Sequence, residues 1–286
     1  MPSMSKARVV TRFAPSPTGY LHLGHAYSAL LNFDQARMAG GKFVLRIEDI
    51  DQQRCRPEYE TAIFDDLGWL GITWDDVPLK QSDRFAVYEA QLLQLHDRGL
   101  IYRCFRTRKD IENAAGAPHG PPLSVFRSAP LAAREERDNL AGGRPYAWRL
   151  SLSAAEESLG SAFQSLSFQE ATDKGLVEKP ANPTLLGDVV LGRKDSGTSY
   201  HLSSVLDDAT QGVTHVTRGE DLYEAAGLHV LLHRLMGLTP PIYCHHKLIL
   251  DSEGKRLAKR DKSATLRHLR ETGVTGKEVR ARLFPN

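Results

Sequence analysis

Near the start of the chain, Arg8-Val9-Val10-Thr11-Arg12-Phe13 is β-branched and apolar enough to predict a strand. A loop with Pro15, Pro17 and Gly19 interrupts regular structure. From His25 onward Ala26, Ala29, Leu30 and Phe33 recur at helical spacing until Gly40-Gly41 stops the pattern. Lys42 to Ile47, with Phe43, Val44, Leu45 and Ile47, then predicts a buried parallel strand. The order is that of a βαβ unit.

The helical period returns over residues 57–70, with Pro57 in the first turn and Tyr59, Ile63, Leu67 and Leu70 inward. It returns again over residues 84–98, with Phe85, Tyr88, Leu92 and Leu95 on one face and Gly99 closing it. Residues 111–143 are rich in Ala, Gly, Pro and Arg and predict loops with short helices. Pattern resumes at Asp188-Val189-Val190-Leu191 and at residues 200–206. Leu228, Leu231, Leu232 and Leu235 mark a helix before Pro240-Pro241, and Lys247-Leu248-Ile249-Leu250 predicts an apolar strand.

Composition changes this picture little. Hydrophobic residues at 41% and charged residues at 25% are ordinary for a globular protein. The net charge of +2 gives no global polybasic character. A local basic face for nucleic acid remains open at residues 103–109 and in the tail with Arg267, Arg270, Lys277, Arg280 and Arg282. There is no internal repeat, no apolar run of membrane-spanning length and no signal-peptide pattern. Three scattered cysteines, Cys55, Cys104 and Cys244, fit reduced thiols in a cytoplasmic protein better than a disulfide framework.

The candidate chemistry lies in two motifs. His22-Leu23-Gly24-His25 stands at a loop-to-helix junction, where unpaired backbone N–H groups and the positive dipole end attract an anion. Two imidazoles three residues apart add donors there, and Gly24 permits close approach of a nucleotide. An isolated His-x-x-His is commonly a surface pair, but the preceding strand and the run Pro15-Ser16-Pro17-Thr18-Gly19 favour a phosphate site. The second motif, Gly254-Lys255-Arg256-Leu257-Ala258-Lys259-Arg260, concentrates positive charge in a Gly-containing segment. A lysine delivered late to a reacting phosphate stabilises the transition state preferentially. Basic turns are common, and this motif gains weight only beside the first.

These residues resemble the HIGH and KMSKS signatures of class I aminoacyl-tRNA synthetases, as His22-Leu23-Gly24-His25 and Arg256-Leu257-Ala258-Lys259. The stretches Arg12 to Gly19, Leu45-Arg46-Ile47-Glu48-Asp49-Ile50-Asp51 and Thr217-Arg218-Gly219-Glu220-Asp221-Leu222 resemble the glutamyl subgroup more narrowly. The similarity runs from about Arg8 to about Lys262. The resemblance implies an α/β fold: a Rossmann-type doubly wound parallel sheet, an inserted acceptor-stem-like α+β domain and a short C-terminal helical tail. It divides the chain into a first catalytic half (1–101), the insertion (102–187), a second catalytic half (188–241) and the KMSKS-like segment with its tail (242–286). Beyond Lys262 only about two dozen residues remain, too few for a separate domain. That length resembles the glutamyl-Q tRNA(Asp) synthetases, truncated paralogues that attach glutamate to the queuosine base in the anticodon arm of tRNA(Asp).

By the same resemblance, the substrates are L-glutamate and ATP with Mg2+, and the chain is expected to act as a monomer. His22, Gly24, His25, Arg256 and Lys259 would bind ATP, with His22, His25 and Lys259 catalytic. Glutamate has two carboxylates, which want guanidinium forks, and an ammonium, which wants an acid. Arg12 and Arg218 match the family's substrate arginines, Ser16 and Tyr200 its hydroxyl contacts, and Glu48 the residue that meets the α-ammonium. Which arginine takes the γ-carboxylate stays open at this stage. The departure at Ala258, where the family has Ser, removes a hydroxyl while leaving the lysine.

Many relatives hold zinc in the insertion through a Cys-x-Cys pair and a later Tyr-x-x-x-Cys. Here only Cys104 remains, with Arg106 two residues on, and His119 would not complete a four-donor set. No zinc is therefore expected, and Tyr102, Phe105, Phe126 and Trp148 would hold the insertion by packing. Three other readings stay open: a compact glutamyl-tRNA synthetase charging a tRNA 3′ end, a nucleotidyltransferase making small-molecule adenylates, and a non-catalytic tRNA-binding paralogue. Adenylate formation separates enzyme from binder, and the acceptor separates the enzymes.

Overall fold

The computed structural model describes residues 8–107, 110, 125–249 and 265–285. The first unit is β1 (Val10–Phe13), α1 (Leu23–Met38) and β2 (Lys42–Ile47). α2 (Pro57–Trp69) follows, then β3 (Leu79–Lys80) and α3 (Phe85–Asp97). Both helices end within a residue or two of their expected limits. β3, β2 and β1 lie side by side and parallel, with Val10 opposite Lys42 and Arg46 opposite Leu79.

The next elements are β4 (Ile101–Cys104), α4 (Ala133–Ala141), β5 (Ala147–Leu150), α5 (Leu152–Leu159) and α6 (Ser161–Gln164). After them come the hairpin β6 (Ser167–Thr172) and β7 (Gly175–Pro180), then β8 (Val190–Gly192). β4, β5 and β8 make a small antiparallel sheet. Its organiser is Asp188, 3% exposed. The carboxylate accepts from the Tyr102 hydroxyl (2.9 Å) and from the backbone N–H groups of Ser128 and Leu152 (3.0 and 3.1 Å). Arg103 lies over Trp148 and Arg149 over Phe126, each 4.5 Å from the ring centre, and Phe105 packs on Tyr146. Of the four aromatics expected to hold this region, Trp148 and Phe126 are thus engaged by arginines, Phe105 by Tyr146 and Tyr102 by Asp188. Among the described residues, no group of three or more His, Cys, Asp or Glu side chains is placed to hold a metal.

α7 (Tyr200–Thr210), β9 (His215–Gly219), α8 (Tyr223–Leu235) and β10 (Ile242–His246) return the chain to the parallel sheet. β9 and β10 are parallel, and β6 adds to the far side of β10 at Glu170 opposite Tyr243. β1 meets β9 through Thr214, whose N–H donates to the Val10 carbonyl (2.9 Å) and whose Oγ1 accepts from the Val10 N–H (2.8 Å). The order across the molecule is therefore β3-β2-β1-β9-β10-β6-β7. Strand order reverses between β1 and β9, so a crevice opens at their carboxyl ends.

The strand expected at Lys247-Leu248-Ile249-Leu250 needs correction. The strand is Ile242–His246, Lys247 to Ile249 are irregular, and Leu250 lies outside the described residues. The apolar run draws attention away from Ile-Tyr-Cys-His-His, whose polar end is explained by its place at the crevice.

α9 (Leu266–Glu271) and α10 (Gly276–Leu283) close the described chain. Leu266 and Val279 enter a core with Ile63, Leu67 and Leu70 of the α2 region and Ala29 and Leu30 of α1. A Cβ at Gly276 would stand 2.1 Å from the Trp69 carbonyl oxygen, so only glycine lets α10 seat against the end of α2. Basic residues of the tail tie it to the body: Arg280 grips both oxygens of Asp34, and Arg270 lies 3.7 Å from Asp66. No helix among the described residues is long and apolar enough to cross a membrane.

Candidate active site

The loop leaving β1 is pinned by its own backbone. The Glu48 N–H donates to the Pro15 carbonyl (3.0 Å), and the Arg56 N–H to that of Pro17 (3.0 Å). It delivers His22 as the cap of α1 in an unusual way. His22 Nδ1 accepts from the Gly24 N–H (3.1 Å), and His25 Nδ1 accepts from the His22 N–H (3.1 Å). Two imidazoles therefore form a reciprocal capping box, the role usually taken by Ser or Thr with Glu. An Nδ1 that accepts leaves the ring proton on Nε2. The ring centres lie 3.8 Å apart with the planes tilted by 39°, and the first atoms a Cβ at Gly24 would meet are those of the His22 ring, at 3.0 and 3.1 Å. Gly24 makes room for the cap.

A cleft of about 450 Å³ opens between the ends of β1 and β9. Its walls bring together Arg12, Ser16, His22, Gly24, His25, Glu48, Tyr200 and Arg218, the site residues expected from the sequence. Arg256 and Lys259 lie outside the described residues. Described residues on either side of them reach the site. Leu248 and Ile249 line the cleft, and on the far side Thr265 pairs with His22 while the Leu266 N–H donates to the Leu21 carbonyl (2.8 Å).

Beneath the cleft lies a buried ion network. Asp208 Oδ1 receives Arg12 Nε at 3.1 Å and Arg46 Nη1 at 2.7 Å. Arg46, fully buried, also donates to Glu48 Oε1 at 3.2 and 3.3 Å. Burial opposes ionisation of Asp208, yet Arg12 and Arg46 outweigh it and hold the carboxyl below its usual range. Glu48 has the opposite balance: burial pushes its carboxyl up, against the pull of Arg46 and Arg12.

Arg218, 4% exposed, is held differently. Its Nε donates to His245 Nε2 (3.3 Å), its Nη2 to the Leu222 carbonyl (3.0 Å), and its Nη1 to Tyr200 Oη (3.4 Å) and toward His229 Nδ1 (3.3 Å). None of these partners is a carboxylate. Burial, with Arg218 nearby, lowers His229 well below the ordinary imidazole value and His201 to about 4. Arg46, Asp208, His229 and His245 were not singled out from the sequence. Arg46 carried a signal, since an arginine inside the run Phe43-Val44-Leu45-Arg46-Ile47 must find a buried acid.

The sequence matches the family of class I tRNA synthetases (E and Q), catalytic domain, over residues 8–281. The chain belongs to the class I tRNA synthetases. Among curated proteins, the glutamyl-Q tRNA(Asp) synthetase of Rhodobacter capsulatus is 48% identical over 95% of this chain and 98% of its own length. A glutamate–tRNA ligase of a Methylobacterium species is 39% identical over 92% of this chain. A crystal structure of a glutamate tRNA ligase from Elizabethkingia meningosepticum, in complex with its amino acid, superposes with a TM-score of 0.72 at 32% identity over 89% of this chain. The chain spans 57% and 52% of these two ligases. As a class I tRNA synthetase it is an enzyme of the ligase type, and the Rossmann-type α/β architecture expected from its motifs is that of its relatives.

Proposed function

We propose that this synthetase condenses glutamate with ATP to glutamyl-adenylate and transfers the glutamyl group to the queuosine base of tRNA(Asp). The observation that carries the first step is the contrast between two arginines. Arg12 shares the charge of Asp208, whereas no carboxylate among the described residues lies within ion-pairing distance of Arg218. A buried guanidinium without a counter-ion is a receptor for a carboxylate. Glu48 at the end of β2 and Arg218 on β9 flank β1, at opposite walls of the crevice. The ammonium and side-chain carboxylate lie at opposite ends of glutamate, so Glu48 takes the ammonium and Arg218 the γ-carboxylate. Tyr200 and Ser16 add hydroxyl contacts.

The α-carboxylate is then left to attack the α-phosphorus of ATP. A new P–O bond forms to the carboxylate oxygen, the bond to the bridging oxygen breaks, and pyrophosphate leaves; Mg2+ bound with ATP would offset the charge of the phosphates. The Nε2–H groups of His22 and His25 and the N-terminus of α1 contact the phosphates. Lys259 and Arg256 stabilise the developing charge. In the second step a hydroxyl of the cyclopentenediol ring that queuosine carries attacks the mixed anhydride, loses its proton and expels AMP.

The acceptor assignment is supported by the 48% identity to the glutamyl-Q relative, against 39% to the glutamate–tRNA ligase. An RNA partner is also supported by a wider cleft of about 1050 Å³ beside the first, lined by Arg54, Arg56 and Arg267 with Tyr20 and Tyr59. The ligase relatives favour one second reading, charging of a tRNA 3′ end. Exchange of labelled pyrophosphate into ATP tests the first step: it should require glutamate and fail with aspartate or glutamine. Fragment mapping of glutamylated tRNA tests the second, with label expected in the anticodon loop.

A further inference from the structure

Arg218 is oriented by an imidazole whose far side is held by an acid from a distant strand. His245 Nδ1 donates to Glu170 Oε1 at 2.9 Å, which leaves Nε2 to accept from Arg218 Nε at 3.3 Å. The side chains of His245 and Glu170 are 3% and 11% exposed. Glu170 reaches this place because β6 runs along β10, with Glu170 opposite Tyr243. The ring is further fixed by Tyr243, stacked at 6.0 Å between centres, and by Tyr223, edge-on at 5.0 Å.

We propose that Glu170 and His245 are a positioning pair for the substrate arginine, holding the Arg218 guanidinium in the plane that receives the glutamate side-chain carboxylate. This rests on the reading of Arg218 given above. A carboxylate bonded directly to Arg218 would neutralise the charge that the substrate needs and would compete with it. An imidazole supplies an acceptor without a charge. The acid one ring further out selects the tautomer, because only Nδ1–H can donate to Glu170. Without that acid the ring can carry its proton on Nε2, where it would oppose Arg218 rather than accept from it. Burial also lowers the His245 pKa, which favours the neutral ring.

The test is titration of the whole chain with glutamate and, separately, with ATP, following heat of binding. His245→Ala should weaken glutamate binding roughly tenfold while leaving ATP binding within about twofold, because misplacement of one polar group is felt only by its ligand. His245→Gln, whose amide oxygen reaches toward the position of Nε2, should recover most of the loss. Glu170→Gln should fall between. Glutamate binding unchanged in His245→Ala and Glu170→Gln would overturn the pair's role alone. Equal weakening of glutamate and ATP, or no recovery in His245→Gln, would overturn it in favour of a structural role. A wild-type chain that binds no glutamate would overturn the pocket reading and the pair with it.

Discussion

Arg12 and Arg46 converge on a single oxygen, Asp208 Oδ1, at 3.1 and 2.7 Å. This shared acid, 5% exposed, lets two strands carry guanidinium groups into the floor of the cleft. Asp208→Asn removes the charge and keeps the shape. Two buried cations would then share Glu48, and loss of one partner from a buried pair costs about 3–5 kcal/mol. Chemical denaturation should show a loss of that order, and a change below about 1 kcal/mol would contradict the account.

The histidine pair caps a helix and is also assigned to the phosphates of ATP, and one substitution separates these duties. Asparagine is a good N-cap, so His22→Asn should melt close to the wild type. It lacks the imidazole donor, and glutamate-dependent pyrophosphate exchange should fall about 10²–10³-fold. His22→Ala should lose the same activity and about 1 kcal/mol of stability as well. Full activity in His22→Asn would leave the ring with a capping role only.

Glu48 gives a prediction about protons. Burial holds its carboxyl above the usual range. An arriving ammonium favours the ionised form, so binding should lower this pKa and release protons at mildly acidic pH. Calorimetry in buffers of different ionisation enthalpy measures that release. It should vanish in Glu48→Gln, and proton uptake by the wild type would be contrary to the assigned role.

Asp66 on α2 sets a dependence of stability on pH. It is fully buried, neither oxygen accepts a hydrogen bond from a described residue, and Arg270 approaches only to 3.7 Å. Burial pushes its carboxyl up to about 6, with Arg270 pulling the other way. The folded chain thus holds this proton more tightly than the unfolded one. The contribution is complete below about pH 4 and is lost as pH rises through about 6, by roughly 2–3 kcal/mol. Asp66→Asn should flatten that slope and stabilise the protein at pH 8. A less stable variant at pH 8 would mean that the pair with Arg270 outweighs burial.

The readability of these features from sequence follows their range along the chain. The β1–α1–β2 unit and the helices with Ile63 and Leu92 were legible because their periods and stop signals are local. Arg12, Ser16, Glu48, Tyr200 and Arg218 were singled out by motif, and the fold gathers them at one cleft. What holds them was not legible. Asp208 is 196 residues from Arg12, and Glu170 is 75 from His245. Such pairs exist only once helix α7 meets β1 and β6 lies beside β10. The same holds for β10, where Pro240-Pro241 marked the boundary while the apolar Leu248-Ile249-Leu250 drew the strand too far along.

Transfer of the glutamyl group to a modified base, rather than to a tRNA 3′ end, is open to direct measurement. Labelled glutamate and ATP should be supplied with queuosine-containing tRNA(Asp), the same tRNA lacking the modification, and tRNA(Glu). Label is expected on the first alone. Label on tRNA(Glu), or equal label on both forms of tRNA(Asp), would contradict it and make this chain a synthetase that charges a 3′ end.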